Sequence, residues 1–506
     1  MKKIFAFVLF GTLIHSVNAQ DINDALRFAQ TDLNGTARYR AMGGAFGAVG
    51  GDFSSLNINP AGSLIFANNQ VGFTLSNFNN HNKSNYFGNS TSDNKNSFDV
   101  NQAGAVFVFN NQDHKSDWRK FAFCINYENA KNLDNTILSA GTNPNNSVDK
   151  YFLSYANGVA LGNINNSNYY FDELYYNEQQ AYLGYNSYII DPTSSTSNNT
   201  SYYTNIATGG NYYQENKIHS TGYNSKATFN FAGQYTDKWL FGLNLNSHFL
   251  DYRQSSSFYE SNGNSKYPTG STVDVIRFSN DLYTYGSGFS FQLGAIFKPS
   301  KEFRVGLSYE SPTWYRLTDE LSQRIVTSGY GLSATPNVNQ YSTVVTDPNT
   351  TMIFVPYNLQ TPSKLSGSLV YLFGKRGLIS MDLASKNYAN TTYRPKQDFA
   401  ATNNLMSNSL TSAYEFRIGG EYKIKKVSLR GGYRWEQSPY KDGTTIGDLT
   451  SFSTGFGYNF GSTKLDVAYA YAKRDFNQQF FYQGLTDAAR INSVNNTVSV
   501  TLLFEL

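Results

Sequence analysis

The sequence predicts an all-β fold: a membrane-spanning antiparallel β-barrel of about 14 strands, with an N-terminal luminal hatch folded inside it. Three observations lead there. From about residue 69 onward, apolar residues recur at every second position, the period of a strand with one apolar face. Short turns (TDK, KPSKE, GKRG, KIKK, GST) alternate with long loops rich in Asn, Ser and Tyr, the asymmetry of a barrel with short inner turns and long outer loops. A small-residue-rich stretch, residues 33–64, precedes the first strand.

Residues 1–19 carry Lys2 and Lys3, an apolar run over 4–13 and a small-residue exit at Val17, Asn18 and Ala19, so they read as a secretory signal peptide cleaved before Gln20. The run is shorter than the roughly 20 residues of a spanning helix. Without Lys2 and Lys3 the chain holds 38 basic and 37 acidic residues, a balance that points away from nucleic acid. Aromatics make up 16% and charged residues only 15%, while mean hydropathy is −0.45. An aromatic-rich exported chain that is hydrophilic on average fits strands with alternate lipid-facing and lumen-facing residues. A secreted sandwich would alternate too, and the turn and loop lengths decide against it.

In chain order, residues 20–68 form the hatch. Asp21 can cap a short helix over 22–30, whose Ile22, Ala25, Leu26 and Ala29 fall at helical spacing. The following GGAFGAVGGD lacks the Lys-Ser/Thr of a phosphate loop, and no strand leads into it. Its glycines and alanines instead suit close packing in a crowded lumen, with Arg38, Arg40 and Asp52 free to pair with polar wall residues. Residues 69–506 form the barrel. Its alternating runs start with Val71, Phe73, Leu75, a strand near 105–109, and Phe121, Phe123, Ile125, Tyr127. They end with Leu465, Val467, Tyr469 and Val498, Val500, Leu502, Phe504. Opposite the apolar face lie Asn244, Asn246, His248, Arg304, Glu310, Asp382, Lys386, Glu415, Arg417, Glu421 and Asp466, a polar lumen. Trp118 and Trp239 open strands, Trp314 and Trp435 close theirs, as two interfacial girdles require. Pro312 is expected near a strand end. The single cysteine, Cys124, shares the inner face with Ala122 and Asn126 and forms no internal disulfide.

The longest loop, about 130–220, is too long for an idle connection. Tyr151, Phe152 and Tyr155, then Phe171, Leu174, Tyr175, Ala181, Tyr182 and Tyr185, sit near helical spacing. Two short helices there would offer an apolar capture groove, for which Phe171, Leu174, Tyr175 and Tyr182 are the candidates.

The hatch resembles that of the FadL/TodX outer-membrane transporters, through Gly35, Ala37, Gly43, Gly44, Asp52 and the Asn59-Pro60-Ala61 triplet. The resemblance implies a 14-stranded barrel in the Gram-negative outer membrane that passes long-chain fatty acids or aromatic hydrocarbons inward by passive diffusion. The hatch or gating role would fall to Gly35, Gly43, Gly44, Asp52, Asn59, Pro60 and Ala61. The family's side opening comes from a kink in the third strand, and residues 121–129 hold no glycine or proline to cause one. Partners on this reading are outer-membrane lipid, a hydrophobic ligand and the outer-membrane assembly machinery; the chain would work as a monomer, without cofactor or metal. The rival readings are a haem or hemin receptor, which needs convergent His, Tyr or Met ligands, and an adhesin that uses its loops without a conduit. A barrel enzyme would have only His81, His114, His219 and His248 as bases after the signal, and a polar wall role explains His248 better.

Overall fold

A computed structural model describes residues 21–506 except 114, 166 and 167; the expected signal peptide lies outside the described residues. Fourteen antiparallel strands close into one barrel. They are β1 (Gln70–Tyr86), β2 (Asn89–Asn110), β3 (Trp118–Asn132, then Asn135–Asn143), β4 (Tyr212–Tyr235) and β5 (Trp239–Ser261). Next come β6 (Thr272–Phe297), β7 (Phe303–Glu310, then Trp314–Tyr330) and β8, a run of four pieces from Tyr341–Thr346 through Thr351–Ile353 and Tyr357–Gln360 to Lys364–Leu372. β9 (Gly377–Asn387, then Thr392–Arg394), β10 (Ser412–Ile424), β11 (Val427–Glu436), β12 (Ile446–Asn459), β13 (Thr463–Gln479) and β14 (Ala488–Glu505) complete the wall. Closure is the ladder between β1 and β14, from Gln70↔Glu505 to Asn85↔Arg490.

Alternation does what the sequence asks of it. Leu293, Leu307, Ile379, Leu383, Phe452 and Phe456 are exposed on the outside, where lipid covers them, while Asn244, Ser290, Ser380, Asp382 and Asp466 are buried inside. Trp118 and Trp239 stand at the inner end of the apolar belt and Trp314 higher up, beside Phe289 of β6. The strands reach well beyond the belt: β6 has 26 residues, against about 9–11 for a crossing. This is where the wall outruns the pattern. Above the belt no lipid sorts the two faces, so the region between β3 and β4 shrinks from about 130–220 to 144–211, and β1 meets β2 in a tight hairpin at Phe87-Gly88 instead of a long loop.

Two places break the ladder. β3 pairs with β2 only from Asn110↔Lys120 up to Gln102↔Glu128. Beyond that a register shift at Asn129/Lys131 turns its upper part away, and side chains take over: Thr91 Oγ1 donates to Leu138 O (2.5 Å) and Asn89 Nδ2 to Ala140 O (2.8 Å). The third strand is therefore kinked without glycine or proline, just past residues 121–129. The second break lies across β7, β8 and β9, at 311–313, 361–363 and 388–391. Pro312 sits here, two residues past the end of the Phe303–Glu310 piece, near a strand end as expected. Below it Arg304, Ser308 and Glu310 face the lumen; above it Tyr315 and Leu317 do, so the inward parity changes from even to odd. β8 changes in step, from buried Ser366 and Ser368 to buried Tyr357 and Leu359. A one-residue shift exchanges the two faces of a strand, and the interruptions keep the faces of neighbouring strands matched.

Inside lie α1 (Ile22–Ala29), α2 (Ala37–Ala41) and two 3₁₀ turns, Phe53–Asn57 and Pro60–Ile65. Outside, residues 144–211 form a cap with α3 (Asp149–Ala156), α4 (Leu161–Ile164), α5 (Tyr176–Asn186) and a small hairpin. Its core of Phe152, Ile164, Leu183 and Ile189 merges with Phe258, Ile276, Phe278 and Ile325 from the tall ends of β5, β6 and β7.

The belt assignment has a direct check. Leu293→Arg places a charge on the lipid face of β6 and should destabilise the barrel by about 2–4 kcal/mol in reversible guanidinium unfolding from vesicles.

Candidate functional site

The hatch is latched to the wall from every side. Arg38 Nε lies 2.9 Å from Glu421 Oε2 of β10, and Glu421 also holds Arg430 of β11 at 2.7 Å, which reaches Asp466 of β13 at 2.5 Å. These charges are buried and paired, as charges withdrawn from water must be. Asp382 of β9 accepts the main-chain N–H groups of Phe46 (2.9 Å) and Gly47 (3.0 Å). Wall amides take the hatch carbonyls: Asn244 Nδ2 to Leu56 O (2.8 Å), Asn230 Nδ2 to Pro60 O (2.9 Å) and Gln292 Nε2 to Ile58 O (3.0 Å). Arg40 and Asp52 behave otherwise than expected. Arg40 donates to Asn34 within the hatch (3.1 Å), and Asp52 caps the turn Phe53–Asn57 while accepting from Thr36 (2.7 Å) and Ser54 N (2.9 Å). Of the three charges only Arg38 forms an ion pair with the wall.

The triplet Asn59-Pro60-Ala61 sits on the barrel floor. Asn59 caps its turn by accepting from Ala61 N (3.1 Å) and crosses to β6 by donating to Ala295 O (3.0 Å). Two wall glycines make room: a Cβ on Gly294 would fall 2.1 Å from Asn59 Oδ1, and one on Gly242 would fall 2.4 Å from Ala61 N. On the far side Gly43, in the left-handed region at φ +61°, lies against the main chain of Tyr433, and Gly432 of β11 has no space for a side chain beside it. Gly35 and Gly44 also hold positive φ. All seven hatch candidates thus gather in one plug. The wall glycines and amides opposite them escaped the sequence reading. Their signal was present as glycines at inward parity on adjacent strands, Gly242, Gly294 and Gly306.

Above the hatch is a cavity of about 490 Å³, within the usual size of a small-molecule site. Its floor is α1, through Asp24, Leu26 and Arg27; Asp21 Oδ1 caps that helix by accepting from Asp24 N (2.8 Å). Aromatic side chains line it, among them Tyr252, Phe258 and Phe278 from the wall, Tyr151, Tyr155 and Tyr176 from the cap, and Phe480 and Phe481 from the loop before β14. Asn216, Gln254, Asn280 and Gln323 add neutral polar groups. One side opens on the kink of β3, where Lys131, Asn132, Leu133 and Asp134 belong to the lining. The expected capture residues lie elsewhere: Phe171 and Leu174 are buried in the cap, Tyr182 packs on Phe171, and Tyr175 is exposed at 74%. Beneath α1, His248 Nε2 pairs with Ser290 Oγ (2.9 Å), and Ser290 is fully enclosed.

Residues 195–500 match the sequence profile of the family described as outer membrane protein transport protein (OMPP1/FadL/TodX). The chain belongs to this family. As a FadL/TodX member it is an outer-membrane transport protein, and its 14-strand barrel accords with that place. A Pseudomonas aeruginosa FadL homologue of known structure is 14% identical, with a TM-score of 0.51, over 94% of this chain and 99% of that one. The Pseudomonas putida toluene transporter TodX is 15% identical, at 94% and 99% coverage and a TM-score of 0.49. No curated protein matches the chain significantly. None of these similarities concerns haem capture or adhesion.

Two outcomes test the latch of this FadL/TodX hatch. Gly294→Val overpacks the seat of Asn59, at a cost of about 1–3 kcal/mol, and should raise single-channel conductance in planar bilayers above that of the wild type. Burial pushes the Asp52 carboxyl above its ordinary range, against the opposing pull of Arg38. The folded hatch therefore favours the protonated form, so its stability is fullest at acid pH and falls as pH rises from the ordinary carboxylate range through the raised value. Hydrogen exchange of hatch amides should quicken over that interval beyond its intrinsic base catalysis, and Asp52→Asn, which keeps the acceptor oxygen, should flatten the excess.

Proposed function

We propose that this protein admits small hydrophobic molecules, such as long-chain fatty acids or aromatic hydrocarbons, by passive diffusion gated at the hatch. The observation that carries the reading is the aromatic cavity set directly above a hatch bonded to the wall all round. A greasy molecule gains roughly 25 cal/mol for each Å² of apolar surface it buries there, which concentrates it from dilute solution. From the cavity the kinked β3 offers a path sideways into the membrane, and displacement of Asn59-Pro60-Ala61 offers one downward. Gly35, Gly43, Gly44 and Asp52 keep the plug in the shape that fits its seat. Capture falls to Tyr151, Tyr155 and Tyr176 of the cap, which line the cavity, in place of the residues expected from sequence. The flow runs down a gradient, since the roughly 50-residue hatch is far smaller than the plug of an energised receptor. A wall closed on itself supports a single chain as the working unit, placed in the membrane by the outer-membrane assembly machinery, with no catalytic role.

Uptake of a radiolabelled long-chain fatty acid, with toluene in parallel, into outer-membrane vesicles tests this. Vesicles carrying the protein should exceed empty ones, and Asn59→Ala with Pro60→Ala should change the rate. Folded protein that passes neither compound overturns the reading.

A further inference from the structure

We propose that the wall between β7 and β8 is a second lateral portal, separate from the β3 kink, and that it serves an amphiphile with a carboxylate head. The inference rests on the transport reading above and adds a route and a head-group site to it.

The seam is open in the backbone sense. The last rung below it is Glu310↔Lys364 and the first above it Trp314↔Gln360. Between them Ser311-Pro312-Thr313 faces Thr361-Pro362-Ser363, so a proline opposes a proline and neither has an N–H to give. Ser311 is engaged with β6 instead: its N–H donates to Phe291 O (2.9 Å), and its Oγ accepts from Phe291 N (3.0 Å). Among the described residues, only the reciprocal Thr313 and Thr361 contacts span the seam, at 2.9 and 3.0 Å. On the other side of β8 the ladder to β9 stops at Lys364↔Lys386 and resumes at Gln360↔Thr392. Residues 361–363 are thus off the ladder on both flanks. Elsewhere, as between β5 and β6 from Trp239↔Phe297 to Ser261↔Val275, the rungs run without a gap. Here three successive residues on each strand are held by one pair of bonds.

Behind the seam lies a cavity of about 40 Å³, bounded by Ser311, Thr313, Thr361 and Pro362 on the wall side and by Phe28 and Ala29 of α1 on the other. Its charged lining is Lys226, Lys364, Lys386 and Glu310, with His248 alongside, an excess of cations. Lys364 Nζ holds Glu415 at 2.6 Å and Lys386 Nζ holds Ala29 O at 2.5 Å. Lys226, only 8% exposed, donates no hydrogen bond among the described residues, and its opposite charge in the lumen is Glu128. A buried water needs roughly 10–15 Å³ of such space, so the cavity admits a carboxylate but not an acyl chain. The chain must leave by the seam, and on its outer side Tyr309, Trp314 and Leu365 are exposed to lipid. A head held by buried ammonium groups with its tail already in the bilayer is the arrangement of an anionic amphiphile in transit. A neutral hydrocarbon gains nothing from those lysines.

The test locks the seam. Ser311 and Ser363 fall opposite each other when the register of both flanking rungs is continued across the gap, and cross-link formation reports whether their thiols meet. In a Cys124→Ser background, Ser311→Cys with Ser363→Cys is oxidised in vesicles, and uptake of labelled palmitate and toluene is followed before and after dithiothreitol. Palmitate flux should fall on oxidation and return on reduction, with toluene unchanged. Undiminished palmitate flux through protein whose cross-link is verified by mass spectrometry overturns the portal and leaves the conduit standing. Passage of toluene without palmitate by the unoxidised protein also overturns it, whereas passage of neither removes the transport reading and the portal together. If the cysteines do not oxidise, Pro312→Val with Pro362→Val, which restores two N–H donors to the ladder, is read by the same fluxes. Independently, Lys226→Gln should raise the palmitate concentration for half-maximal uptake about tenfold, the effect of losing one charge-assisted bond, without moving that for toluene.

Discussion

Within a bilayer no water is at hand to satisfy a backbone N–H or C=O, and the architecture follows from that requirement. Fourteen strands close on themselves so that the first finds the last. Where the ladder fails, a side chain stands in: Ser311 Oγ serves Phe291 N, Thr361 Oγ1 serves Thr313 N, and Thr91 and Asn89 serve the carbonyls of upper β3. Each break is thus a place where a strong repetitive bonding pattern has been replaced by one or two bonds that a small movement can undo. Breaks of this kind are functional candidates in a wall that otherwise resists opening.

The same logic governs the lumen. The plug's short helices and turns leave many backbone groups without a local partner, and here the wall supplies partners through Asn230, Asn244, Gln292 and Asp382. Glycines on the wall allow the plug's main chain to approach closely, so fit and hydrogen bonding reinforce each other. The ion pairs running from Arg38 through Glu421 and Arg430 to Asp466 tie the plug to three strands at once. Removing a single partner would strand a buried charge, which makes the closed state a cooperative one.

Much of this was legible beforehand. Strand number, lumen face and the helix capped by Asp21 follow from period and turn length, because one face meets lipid and the other does not. The limits have physical causes. Above the belt no lipid sorts the faces, so alternation fades and the tall ends of β1 to β6 look like loops. Parity is blind to the paired shift at Pro312 and Pro362, since each half of the strand alternates correctly by itself. Tertiary burial is also invisible to spacing: Phe171 has the pattern of an exposed groove and instead joins the core that holds the cap together, and Leu174 is buried in the cap, while Tyr151 and Tyr155, on the same kind of pattern, reach the cavity.

The last turn of α1 has its carbonyls held from both damaged parts of the wall. Lys131, at the kink of β3, donates to Arg27 O at 3.1 Å, and Lys386, just below the interruption of β9, donates to Ala29 O at 2.5 Å. The two cations also favour the negative end of the helix dipole. The helix is consequently a strut braced between the two interrupted parts of the wall, and each brace is a single bond from a partly buried lysine to one carbonyl of its last turn.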